Sequence, residues 1–298
     1  MAIFKRNLEQ SIIDGLKESE LWKKCLQDDC KKCKEKPKDE HGVFLAIREN
    51  NIGFYHNGGR LFHFDGINGF KTHIKYAAVI DDTEEEKNYL TEVELKNMKL
   101  IPDFTTKYKR IKENCKNYSR VEAQGVSEIY HKYSYLSGED VVVLDIEISF
   151  EALDKQKGSR QDRIDILLLK KSTQTLKFVE AKHFSNSEIW SEDTPKVINQ
   201  IKKYESQIIS KKTEIIEAYK NYINAVNEIF KDVIPHPLPE PEIVEDKVAF
   251  LIFGFDVDQK AGRLKELILE NDSFYNVKSY VKGDITSISL ETFWNQTS

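Results

Sequence analysis

The chain has 298 residues, 40% of them hydrophobic and 32% charged, which excludes a disordered or fibrous protein and admits one large domain or two of ordinary size. Its formal net charge of −5 excludes a general attraction to polyanions, so any nucleic-acid surface must be a local concentration of Lys and Arg.

Lys5 and Arg6 near the start are not followed by an uncharged apolar stretch, so no signal peptide is expected there, and no apolar run long enough to span a membrane follows. The expectation is a cytoplasmic protein with no membrane partner. Apolar residues at helical spacing (Leu8, Ile12, Leu16, Trp22, Cys25, Leu26) predict one or two helices over residues 8–34. Cys25, Cys30, Cys33 and Cys115 are too few and too unevenly placed for a disulfide framework, and reduced thiols are expected. Cys25, Cys30 and Cys33 with His41 do not have a standard zinc spacing. The lysines of 31–38 read as a solvated surface.

Short β-prone runs at 43–48, 52–56 and 60–64 predict an antiparallel meander, with Asn57-Gly58 as a hairpin turn. Residues 81–87 read as an acidic loop or helix start. A long helix or a broken pair is predicted over 108–135, and its Lys107, Lys109, Arg110 and Lys112 suit either a phosphate backbone or a plain amphipathic face. Strands follow at 141–150, 162–170 and 175–182, joined through Lys157-Gly158-Ser159 and Lys171-Ser172-Thr173. Thr194 as N-cap and Pro195 at the first helical position open helical sequence to about 231, with a break near Ser210-Lys211. Pro235, Pro237, Pro239 and Pro241 predict an extended connector, then a strand at 248–256, a helix at 259–270 and a last strand at 286–290.

The chemistry is concentrated in the second and third of the central strands. Asp165 lies in an almost wholly apolar strand, where a buried carboxylate needs a strong partner or a metal. In the next strand, alternation puts Leu176, Phe178, Glu180 and Lys182 on one face. Asp165 and Glu180 can therefore converge as hard oxygen ligands of the kind that suit Mg²⁺, for which Mn²⁺ would substitute. Lys182 is expected to orient or help deprotonate water, with its pKa lowered by the metal and its surroundings.

Arg163-Ile164-Asp165, followed after a hairpin by Val179-Glu180-Ala181-Lys182, resembles the PD-(D/E)XK nuclease superfamily, with Ile164 in place of the signature proline. Gln200 and Tyr204 match the Gln-x-x-x-Tyr helix of its RecB and lambda-exonuclease branch. The resemblance covers residues 118–256, roughly. It implies an α/β fold: a restriction-endonuclease-like mixed central sheet flanked by helices over 111–298, preceded by a small α+β accessory domain with the meander over 1–110.

It further implies a Mg²⁺-dependent deoxyribonuclease, with Asp165, Glu180, Lys182 and Gln200 catalytic. The ion would be held by Asp165, Glu180, the carbonyl of Ala181 and a third carboxylate. Glu147 is first in line for that place, with Glu122 and Glu128 behind it. Tyr204 and Arg163 would contact substrate, although Arg163 suits a structural pair with Asp165 equally well. DNA is the expected partner and RNA is not excluded. A homodimer is open, and defence or repair is what similar proteins tend to serve. The competing readings are a nuclease fold that binds nucleic acid without turnover, and a buried Asp165–Lys182 ion pair with no metal.

Overall fold

A computed structural model describes residues 4–30, 42–79, 91–97, 99–150, 163–191 and 194–298. Cys33, His41, the lysines of 31–38, the acidic 81–87 stretch and Lys157-Gly158-Ser159 lie outside the described residues.

The N-terminal helical pattern resolves into α1 (Gln10–Glu18) and α2 (Glu20–Cys25), separated where the Ser19 side chain accepts the Trp22 amide as an N-cap. The meander is a four-stranded antiparallel sheet in chain order: β1 (Phe44–Arg48), β2 (Asn51–His56), β3 (Gly59–Asp65) and β4 (Gly69–Lys71). Asn57 and Gly58 both take positive φ, +45° and +79°, the conformation a two-residue hairpin turn with right-handed strand twist demands. Trp22 packs edge-on against Phe54, closing one face of the sheet.

Two short helices follow, α3 (Ile74–Ala77) and α4 (Glu92–Asn97), around a small antiparallel pair formed by β5 (Ala78–Val79) and β6 (Lys99–Leu100). The helical pattern of 108–135 is a broken pair, α5 (Tyr108–Asn117) and α6 (Val121–Lys132). At the break the Ser119 hydroxyl donates to the Asn57 carbonyl, so the corner is tied to the hairpin turn.

The second sheet is six-stranded and mixed. β7 (Val141–Ile148), β8 (Ile164–Lys170) and β9 (Thr175–His183) run antiparallel; β10 (Ile243–Val244) and β11 (Ala249–Phe253) add to β9 in parallel, and β12 (Lys278–Lys282) adds to β11. Between β9 and β10 lie α7 (Lys196–Ser210) and α8 (Lys212–Ile229), broken at Lys211 as the sequence suggests.

Three expectations need correction. Pro195, not Thr194, holds the N-cap position of α7, without a side-chain cap. The predicted helix at 259–270 is α9 (Val257–Gln259) running into a π-helical stretch, Lys260–Leu269, kinked at Gly262. The predicted last strand at 286–290 is instead a 3₁₀ turn, Ile285–Ser287, leading to α10 (Leu290–Gln296), because the Ser289 side chain caps that helix at Thr292. The true last strand is β12, whose half-buried Lys-Ser-Tyr-Val-Lys carries little apolar signal.

Ile129 of α6 and Phe293 of α10 lie against Ile166, Leu168, Val179 and Leu251. On the opposite side the Tyr219 hydroxyl of α8 reaches Asp145 and the Tyr204 hydroxyl of α7 reaches the Arg163 carbonyl. Lys177, fully buried, donates to the Trp294 carbonyl and to the hydroxyls of Thr297 and Ser298, a cation placed where a helix C-terminus has unpaired acceptors. No helix among the described residues is long and apolar enough to cross a membrane.

One hydrophobic cluster runs through both sheets, and a charged knot joins them. Asp145 of β7 is fully buried and accepts from Arg6 (3.3 Å), from Arg48 of β1 (2.8 Å) and from Tyr219 (2.9 Å). Removing one partner of such a buried group leaves an uncompensated charge, which costs about 3–5 kcal/mol.

Candidate active site

The β8–β9 ladder ends with Ile166 against Val179; one step further the register sets Asp165 opposite Glu180, and opposed residues share a face. Backbone pairing stops here because the Asp165 carboxylate takes the Ala181 amide itself, at 2.8 Å. The N–H and C=O of one strand residue point to the same edge, so the Ala181 carbonyl is turned toward Asp165 as well. The Ala181 side chain is buried on the face away from Glu180.

Glu180 is fully buried, and neither of its carboxylate oxygens has a hydrogen bond of proper geometry. Its close neighbour is the Lys182 ammonium, 2.7 Å from Oε1, two residues along the same strand. Burial pushes the Glu180 carboxyl well above the ordinary range, and nearby Asp165 pushes it further. Asp165 is raised to about 7, again by burial first, against the opposing pull of Lys182 and of the Ala181 amide.

Lys182 has a different balance. Burial alone would lower its pKa, but Glu180 and Asp165 outweigh it, and the ammonium is held protonated above its ordinary value. The low-dielectric surroundings strengthen its attraction to these two acids.

Glu122 and Glu188 are the other acids near Lys182, at 3.9 and 3.5 Å. Glu122 stands in the first turn of α6 and accepts the His183 amide (3.0 Å) and the Asn186 side-chain amide (2.8 Å), pinning the end of β9. That helix lies close to the sheet at Gly125, where a Cβ would come within 2.1 Å of the Phe253 ring. Glu188 sits on the 3₁₀ turn Ser187–Ile189, capped by Asn186. Its partnership with Lys182 was missed; the only sequence signal is a polar Ser185-Asn186-Ser187 turn directly after the strand.

Glu147 lies on β7 between pairs Ile146–Ile166 and Ile148–Ile164, hence beside Asp165. It has φ +52°, a left-handed conformation costing a non-glycine residue about 1 kcal/mol, and its carbonyl and that of Ile146 accept from Arg48 Nη2, at 3.4 and 2.6 Å. Arg163 pairs with the Glu147 carboxylate at 3.1 Å, rather than with Asp165. Glu147, Asp165 and Glu122 line a pocket of about 70 Å³ with Tyr55 of β2, room for several waters. Glu128 lies on α6, six residues beyond Glu122.

Gln200 and Tyr204 face each other across one turn of α7, with Gln200 Nε2 donating to the Tyr204 hydroxyl at 2.8 Å. Tyr204 is buried, and its own proton goes to the Arg163 carbonyl, 2.9 Å away. The pair therefore braces the chain where it enters β8, two residues before Asp165.

Asp165, Glu180 and the Ala181 carbonyl are hard oxygen donors gathered at one strand end, and the unbonded Glu180 oxygens fit a divalent cation of the Mg²⁺ type. Among the described residues, no group of three or more His, Cys, Asp or Glu side chains is arranged to hold a metal ion. No protein-family model matches the chain, and no curated protein or solved structure is significantly similar to it.

Proposed function

We propose that the chain is a metal-dependent nuclease of the PD-(D/E)XK type that hydrolyses phosphodiester bonds of DNA. The observation that carries this is the convergence of Asp165, Glu180 and Lys182 at one end of neighbouring strands, with Glu180 fully buried against the Lys182 ammonium and without a hydrogen bond of proper geometry. A functionless core rarely keeps an acid in that state, because an apolar residue there would be cheaper.

Asp165, Glu180 and the Ala181 carbonyl would hold Mg²⁺, which when bound supplies charge to offset that developing on the phosphate. Lys182, protonated, donates to a phosphate oxygen or holds the attacking water in line. Gln200 and Tyr204 act through β8, fixing where Asp165 points. Arg163, exposed beside Glu147, can meet a neighbouring phosphate.

A second reading is a nuclease fold that binds nucleic acid without turnover, favoured by the closed Lys182–Glu180 contact. Incubation of supercoiled plasmid, and of matched RNA, with Mg²⁺ or Mn²⁺ tests both. The expected result is DNA cleavage that EDTA stops and Lys182→Ala abolishes. Equal cleavage by Lys182→Ala would sink the assignment, and RNA cleavage alone would move the substrate.

A further inference from the structure

The N-terminal sheet touches the carboxylate pocket through Tyr55. Strand pairing sets Tyr55 directly opposite Arg60, so the two side chains share a face. Gly53 leaves room for this arrangement: a Cβ there would meet the Tyr55 ring at 2.8 Å and Arg60 Cδ at 3.5 Å. The tyrosine ring thus lies back across the sheet, alongside the arginine stem.

Further along that face come His63, paired with Gly53, and Lys71, paired with His63. Its other end, at β1, is covered, where Phe44 packs on Tyr130 and Tyr135. At β3 and β4 it is open. There Arg60, His63, Lys71 and His73 line a groove of about 460 Å³ that contains no carboxylate in its wall.

The acid beside this groove, Asp65, is the counter-charge of Lys71, at 2.7 Å, and stands 3.5 Å from His63 Nε2. It accepts the amides of Ile67 and Asn68 in the β3–β4 turn as well as the Lys71 ammonium. Arg60 makes no ion pair among the described residues, and Arg60 and Lys71, after burial, hold the His63 imidazole below its ordinary pKa. Arg60 thus stands exposed beside Lys71 and His63 without a counter-charge among the described residues, a place that a phosphate fits.

We infer that the open face from Tyr55 through Arg60 to Lys71 carries the phosphodiester backbone of the nucleic-acid strand that enters the Asp165–Glu180 pocket. The Arg60 guanidinium and the Lys71 ammonium each neutralise a phosphate flanking the scissile bond, and the Tyr55 ring supports the sugar or base between them. This rests on the nuclease reading for the pocket, but the binding it describes needs no metal and no turnover.

Fluorescence anisotropy of a labelled DNA strand and of its duplex, in EDTA across a salt series, provides the test. Arg60→Gln with Lys71→Gln should weaken binding and reduce the salt dependence by about two released counterions. Arg60→Lys should keep the slope, and Lys202→Gln with Lys203→Gln on exposed α7 positions should change nothing, all at an unchanged melting temperature. Unchanged binding by the first pair, or equal weakening by the second, overturns the inference. Loss of binding in the first pair without plasmid cleavage by the wild type would retain the track and reject the nuclease. Cleavage at wild-type rate and affinity by the first pair would do the reverse.

Discussion

Lys182→Met keeps most of the lysine stem and deletes only the cation that Glu180 and Asp165 share. In the wild type both acids have pKa values raised above their unfolded ones, Asp165 to about 7. Their contribution to stability is therefore fully present below the unfolded carboxylate range and is lost as pH rises through the folded values. Without Lys182 the loss deepens, because two buried charges then repel each other with nothing between them.

Removing one partner of a buried pair costs about 3 kcal/mol or more. For 298 residues the unfolding entropy is about 0.6 kcal/mol per kelvin, so the variant should melt about 5 °C below the wild type near pH 8. Near pH 5, where the acids can take protons instead, the difference should shrink below about 2 °C. The assay is a thermal melt of both proteins in EDTA across that pH range, with Glu180→Gln added to Lys182→Met expected to restore most of the loss. An equal loss at both pH values would refute the reasoning, since it would mean that packing, not charge, had been removed.

Arg48→Ala should lower the unfolding free energy in urea by about 3–5 kcal/mol, and Arg48→Lys by less, because the guanidinium serves Asp145 and two β7 carbonyls at once. A change under about 1 kcal/mol would show that Asp145 does without it. Tyr204→Phe removes the bond to the Arg163 carbonyl and should cost about 1 kcal/mol of stability while lowering kcat more than it raises KM, checked by denaturation and steady-state cleavage. The Cys115 thiol, pushed up to about 11 by burial, should resist iodoacetamide in the native protein near pH 8 and react in urea, as peptide mass mapping would reveal.

The β8–β9 hairpin was legible because alternation is local: Asp165, Glu180 and Lys182 could be placed on one face from strand spacing alone. The meander was legible for the same reason, through Asn57-Gly58. Glu147 was noticed as an acid in an apolar strand, but its left-handed backbone is held by Arg48, 99 positions away. No spacing rule reaches that far.

Lys182 shows a different failure. The residue was legible, but its charge balance beside two acids was not, because that balance is set by distances that sequence does not contain. β12 was missed because an edge strand ending and beginning in lysine lacks apolar alternation. The family resemblance stands on the same few residues as the site.

The Asp145 knot bears on how this chain can be divided. Its donors sit 139, 97 and 74 residues from it along the chain, so the contacts that complete it are among the most distant in the molecule. Contacts of that kind close late in folding, after the loops between them have been ordered. A fragment carrying only the first sheet would hold Arg6 and Arg48 against no carboxylate, and one carrying only the second would seal Asp145 away with a tyrosine alone. Neither half is a portable cassette: grafted onto another protein, the half with the second sheet would have to bring Arg6 and β1 with it.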